Sequence, residues 1–126
     1  AAVDAFVAET IAADDEALRL ALEDARAAGE VIRTKSPTSV AVTLRALRSA
    51  AQLSTVEEVL AQDYRLAVRF HAAPDFVEGI RAQVIDKDRQ PRWNPATVEQ
   101  VDAHVIDDFF APLTGGELDL TSHHDD

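Results

Sequence analysis

The sequence predicts an all-α fold of five or six helices, and three observations carry that prediction. Glycine and proline are absent before Gly29 and again between Pro37 and Pro74, so nothing in those stretches interrupts a helix. Apolar residues recur at spacings of three and four, the period of a helical face. Strand-like alternation is nearly absent, and no internal repeat stands out.

Each element follows in order. Val3, Phe6, Val7 and Ile11 form a first apolar stripe. After an acidic break at Asp14 and Asp15, either of which suits an N-cap, Leu18, Ala21, Leu22, Ala25 and Ala28 form a second stripe that stops at Gly29. In KSPTS, Pro37 disfavours a helical Ser36, and the hydroxyls of Thr38 and Ser39 are placed to cap the next helix. That helix aligns Val40, Leu44, Leu47 and Ala51, with Arg45 and Arg48 beside them. Ser54 and Glu57 have the spacing of a capping box and open a helix with Val56, Val59, Leu60, Ala67 and Phe70 inward, ending near Ala73. Asp75 and Glu78 repeat the spacing before a short helix at about 76–85. The run DKDRQPRWNP at 86–95 reads as an ordered loop. Pro95 is placed for the first turn of a last helix, whose face is Val98, Val101, Val105 and Phe109. Gly115 and Gly116 end it, and a flexible tail is expected at 121–126.

The 126 residues carry 12 Lys and Arg against 23 Asp and Glu, a net charge of −11, with no Cys. The absence of cysteine excludes a disulfide scaffold, a thiolate zinc site and a cysteine nucleophile. An acidic surface repels a phosphate backbone, so no nucleic-acid partner is expected. No run of 18 apolar residues is present, and the N-terminal segment lacks a basic start followed by an apolar stretch. No membrane association and a cytoplasmic location are therefore expected. The charge is uneven: residues 1–32 sum to −6, residues 33–92 to +3 and residues 93–126 to −8.

Three groups invite a chemical reading. Asp75, Glu78, Asp86 and Asp88 are carboxylates close in sequence, but capping spacing and interleaved Lys87 and Arg89 favour a structural role over acid–base catalysis. His104 and Asp108 lie one helical turn apart with no third ligand at helical spacing, which favours a solvated pair over a metal site. His123 and His124 beside Asp125 and Asp126 suit at most adventitious metal binding. Arg81, Lys87, Arg89 and Arg92 with Trp93 suit an anionic ligand bearing a flat ring, such as a nucleotide. The competing reading has Trp93 plugging the core while the basic residues pair with Asp86 and Asp88. No glycine-rich phosphate loop or nucleophile elbow is present.

The stretches KSPTSVAVTLRAL, LSTVEEVLAQDYRLAVRF and DFVEGIRAQVIDKDRQPRWNPATVEQV together resemble the C-terminal region of 3-hydroxyisobutyryl-CoA hydrolases, a branch of the crotonase (enoyl-CoA hydratase/isomerase) superfamily. The resemblance covers about residues 34–120 and is weaker over the first 30. The run at 75–95 separates this branch from ordinary enoyl-CoA hydratases, whose stretch is a related, shorter acidic, glycine and basic motif.

The resemblance implies thioester hydrolysis of an acyl-CoA in valine breakdown, by a core of repeated strand and helix units that carries the oxyanion-hole amides and catalytic carboxylates. No catalytic residue can be carried onto this chain, and no metal or cofactor is implied beyond the CoA thioester as substrate. The chain is expected to be the C-terminal piece of a longer protein, lacking the β/α spiral core and inactive alone. Residues 1–33 would link to that core, residues 34–120 would form a helical lid over the acyl-CoA, and residues 121–126 the tail. By the same resemblance Lys87, Arg92 and Trp93 are candidates for the nucleotide end of CoA, while Asp75, Glu78, Gly79 and Arg81 hold the lid in shape. The missing core, a neighbouring subunit and self-association are the expected partners. The alternatives are a piece of an enoyl-CoA hydratase or isomerase, and a non-catalytic helical interaction module.

Overall fold

A computed structural model describes residues 2–120, with side chains from residue 15 onward. The order is α1 (Ala2–Arg33), α2 (Pro37–Ala50), α3 (Val56–Ala72), α4 (Pro74–Ile80), a π-helical turn (Arg81–Ile85), a 3-10 turn (Val98–Gln100) and α5 (Ala103–Phe110). No strand occurs among the described residues. The chain divides into two compact units, Ala1–Lys35 and Ser36–Asp126.

The first unit is α1, a single helix where two were expected. Its backbone stays helical through Asp14 and Asp15 and continues past Gly29 to Arg33. Exposed ion pairs add support to its middle turns. Glu16, Glu23 and Glu30 recur every seven residues, and so do Arg19, Arg26 and Arg33, a repeat that the apolar pattern hides. Arg19 donates to Glu16 at 2.6 and 2.9 Å and to Glu23 at 2.6 Å, bridging two turns of the helix. Hydrogen bonding to Arg19 holds the Glu16 carboxyl below its ordinary range.

In the second unit α2, α3 and α4 begin where sequence logic places them to within about two residues, but through different side chains. Ser36 caps α2, accepting from the Ser39 N–H at 3.2 Å, and Pro37 occupies the first turn. Thr38 is instead buried and Ser39 supplies its backbone. The capping box of α3 is Thr55 with Glu58, one position beyond the expected Ser54 and Glu57. The Thr55 hydroxyl accepts from the Glu58 N–H, and the Glu58 carboxylate accepts from the N–H groups of Thr55 and Ser54 at 3.1 and 2.7 Å. The register is set by Thr55, whose extended backbone (φ −132°, ψ 158°) ends the loop. The last helix is shorter than expected. The Asn94–Pro95 bond is cis, and α5 starts at Ala103 under an Asp102 cap.

The core is compact: Val42 of α2, Leu66 of α3 and Phe109 of α5 are buried, with Ala46, Phe70, Ala73, Ile106 and Phe110 packed around them. Phe70 and Phe109 meet at 4.6 Å between ring centroids. The buried Gln62 amide donates to the Ala46 carbonyl at 3.2 Å, fastening α3 to α2. Arg65 and Arg69 then clamp the end of α5, donating to the carbonyls of Phe110 (3.0 Å) and of Ala111 and Pro112 (2.8 and 3.1 Å). Cations at carbonyls that have no partner within the helix are favourable there.

The stripes inferred from spacing are only partly the faces that pack: Phe70 and Phe109 lie in the core as expected, and most of the other inferred positions do not. On α2 the core takes Val42 and Ala46, leaving Leu47 67% exposed. On α3 it takes Gln62, Leu66 and Phe70, leaving a row of Val56, Leu60, Tyr64 and Val68 at intervals of four, each between 41 and 69% exposed. Leu66→Ala is expected to lower stability by about 2–5 kcal/mol, and Leu47→Ala by less than about 0.5 kcal/mol. Urea unfolding measures both, and equal losses would contradict this assignment of the core.

Candidate functional site

The ordered loop after the π-helical turn is built on one guanidinium. Arg81 follows α4 and has five N–H donors, and all five are used. Its Nε and one Nη donate to the two Glu78 oxygens at 2.9 and 2.8 Å. A second Nη donates to Asp86 and Asp88, both at 2.7 Å. The Gln90 carbonyl accepts the fifth bond at 3.2 Å. The carboxylates close the loop further: Glu78 accepts from the Arg92 N–H at 2.7 Å and Asp88 from the Gln90 N–H at 2.9 Å. The Arg89 N–H donates to the Ala82 carbonyl at 3.0 Å.

The electrostatics follow from these bonds. Arg81, with the Arg92 N–H second, pulls the Glu78 carboxyl from an ordinary 4.5 to about 2. Arg81 likewise lowers Asp88, helped by the Gln90 N–H. Glu78, Asp88 and Asp86 in turn raise Arg81.

Asp75 does not cap α4, whose N-cap is Ala73 without a side-chain bond. Its carboxylate instead accepts from the Ser36 hydroxyl at 2.5 Å and from the Asn94 N–H at 3.1 Å. The start of α2, the start of α4 and the end of the loop are thereby joined at one residue. Glu78 serves Arg81 and Arg92 rather than a helix cap. The capping spacing of Asp75 and Glu78 thus concealed a longer-range job for each, which local periodicity cannot signal.

Three cations remain on the rim. Lys87, Arg89 and Arg92 are exposed, and none forms an ion pair among the described residues. Of the pairings with Asp86 and Asp88 that the competing reading offered, the one through Arg81 forms and takes both carboxylates, while Lys87, Arg89 and Arg92 take neither among the described residues. Lys87 and Arg89 have positive φ, 57° and 56°, on either side of Asp88. Trp93 is half-buried and lies outside the Val42–Leu66–Phe109 core. Its indole edge sits over Gly79, where a Cβ would meet Cη2 at 3.5 Å. A cationic rim beside a partly accessible indole can hold an anion that carries a flat ring.

Other candidates are placed apart from this loop. His104 and Asp108 are exposed on α5 without a bond between them, and His123, His124, Asp125 and Asp126 lie outside the described residues. No three His, Asp or Glu side chains among the described residues are grouped to hold a metal. A groove of about 410 Å³ between α2, α3 and α5, lined by Arg45, Ser49, Gln62, Arg65 and Phe110, was not foreseen. Its cations are committed: Arg45 pairs with Asp107 and lies 4.5 Å over the Phe110 ring, and Arg65 pairs with Glu117 at 2.9 Å.

A family profile described as enoyl-CoA hydratase/isomerase matches residues 2–110. The chain belongs to the enoyl-CoA hydratase/isomerase family. The family match includes the first thirty residues, where the resemblance was weaker. Within the family, the chain is 44% identical over 91 residues to a Gallus gallus protein named 3-hydroxyisobutyryl-CoA hydrolase, mitochondrial, which covers 72% of this chain and 23% of that relative. Two solved structures are similar. A carnitinyl-CoA dehydratase from Mycobacterium thermoresistibile aligns at 41% identity and a TM-score of 0.63, over 75% of this chain and 28% of its own. An enoyl-CoA hydratase from Rhodobacter sphaeroides aligns at 37% identity and a TM-score of 0.65, over 71% of this chain and 27% of its own. The chain therefore spans about a quarter of the length of the proteins it matches. The expected cytoplasmic location is overturned by the curated relatives, which are named as mitochondrial; the missing basic, apolar start on which it rested says nothing about a chain aligned to a quarter of its relatives.

Acidification tests the loop. A carboxyl depressed in the folded state contributes stability that is fully present above its unfolded value and lost as pH falls through the folded one. For Glu78 that window runs from 4.5 down to about 2. Fluorescence of Trp93, the single tryptophan, should change within it, and Glu78→Gln should loosen the loop already at neutral pH. A transition in the native chain that is complete above pH 4.5 would contradict the assignment.

Proposed function

We propose that this chain is the C-terminal helical part of a 3-hydroxyisobutyryl-CoA hydrolase-like enzyme of valine breakdown, covering the acyl-CoA site without supplying the catalytic groups. The observation that carries this reading is the cationic rim of Lys87, Arg89 and Arg92 beside Trp93, without an ion pair among the described residues, in a chain whose curated relatives are named 3-hydroxyisobutyryl-CoA hydrolase. Lys87 and Arg92 contact the phosphates of CoA, and Trp93 stacks its exposed face on the adenine. The apolar row Val56, Leu60, Tyr64 and Val68 on α3 seats the unit on the remainder of a full-length enzyme, roughly three times as much chain again by the lengths of the relatives. In the absence of that remainder the row promotes self-association. The reaction uses no cofactor beyond the CoA thioester itself.

The names of the similar solved structures favour a second reading, a part of a hydratase or dehydratase acting on the same class of thioester. The rim and the indole serve either reaction, because both bind the nucleotide end of the substrate.

The purified chain should bind coenzyme A weakly, quenching Trp93, and should not hydrolyse 3-hydroxyisobutyryl-CoA. Lys87→Ala and Arg92→Ala should each weaken binding about fivefold, the size of one exposed charge contact, and added salt should weaken the native chain likewise. Thioester turnover by the chain alone, or affinity indifferent to both substitutions, would sink this reading.

A further inference from the structure

Asp86, Lys87, Asp88 and Arg89 alternate in sign along four consecutive residues, and neighbouring opposite charges would ordinarily pair and cancel. They do not cancel here. Both aspartates turn to the Arg81 guanidinium, at 2.7 Å each, while Lys87 and Arg89 adopt left-handed backbone at 57° and 56° and leave their side chains exposed. Left-handed backbone is uncommon for residues other than glycine, and here two instances flank Asp88. The ion pairs of the loop are sorted: Glu78, Asp86 and Asp88 bond to Arg81, while Lys87, Arg89 and Arg92 form no ion pair among the described residues, the Arg92 side chain acting on Glu78 and Asp88 through space alone.

We propose that Arg81 is a positioning residue for anion binding: it sequesters Asp86 and Asp88 and so leaves Lys87, Arg89 and Arg92 free to hold phosphate. The inference rests on the reading of this loop as the nucleotide end of a CoA site, and it adds Arg89 to the residues that meet the ligand. Arg81 touches no ligand, since each of its five donors is occupied within the loop. Lysine cannot replace it, because an ammonium lacks the planar fork that spans Glu78 and both aspartates at once.

The test titrates the full chain with coenzyme A and, in parallel, with inorganic pyrophosphate, following Trp93 fluorescence and heat of binding. Arg81→Gln releases the aspartates onto the rim and should weaken both ligands about fivefold or more. Adding Asp86→Asn and Asp88→Asn to Arg81→Gln should bring both affinities back to within about twofold of the native chain. A residue that merely held the loop in shape would show no such recovery, so weakened binding that the double asparagine change leaves uncorrected overturns the proposal. Unchanged binding in Arg81→Gln overturns it as well. Should Arg81→Gln not fold by circular dichroism, Arg81→Lys, with and without the asparagines, reads the same loss and recovery. A native chain that binds pyrophosphate but not coenzyme A removes the CoA reading and leaves the role of Arg81 to be judged on pyrophosphate. Binding of neither ligand overturns both.

Discussion

The five-donor guanidinium of Arg81 is the interaction on which the loop between α4 and α5 depends. It sits where α4 passes into the π-helical turn, and it collects a carboxylate from the helix before it and two from the loop after it. A planar, permanently charged fork can satisfy several acceptors at fixed angles, which a flexible ammonium cannot. Its bonds hold Glu78 ionised to low pH, and Glu78 in turn receives the Arg92 N–H. Asp75 adds the second anchor by joining Ser36 to Asn94. Between these two anchors the chain has little freedom, and the Trp93 ring comes to rest over Gly79.

The same economy of contacts shapes the helical body. Three buried side chains, Val42, Leu66 and Phe109, make the centre of the core, and polar bonds complete it: Gln62 to the Ala46 carbonyl, and Arg65 and Arg69 to the carbonyls that end α5. Such a core leaves much apolar surface uncovered. The row from Val56 to Val68 has the four-residue spacing of a packing face and stays 41 to 69% exposed. The chain itself matches about a quarter of the length of its relatives.

Periodicity placed the helices well and their inward faces poorly, for one reason. Leu44 and Leu47, or Val56 and Leu60, score as core because they are apolar and correctly spaced. Which of two apolar stripes is buried depends on what lies opposite, and a single helix carries no record of that. Charge patterns misled in the same manner. Asp14 and Asp15 read as a helix start, yet the helix runs straight through them. Asp75 and Glu78 read as a capping pair, yet each is engaged by a group far away in sequence or by a stronger donor nearby.

By itself the sequence determined the helical class, the ordered loop between α4 and α5, the absence of thiol chemistry and the family to which the chain belongs. Those depend on residue types and short spacings, which are local. The tertiary structure alone decided that the aspartates of the loop pair with Arg81 and not with their immediate neighbours, and therefore that Lys87, Arg89 and Arg92 form no ion pair among the described residues. Pairing is a competition among all donors within reach, and reach is a property of the folded backbone, here two left-handed residues and one helical turn.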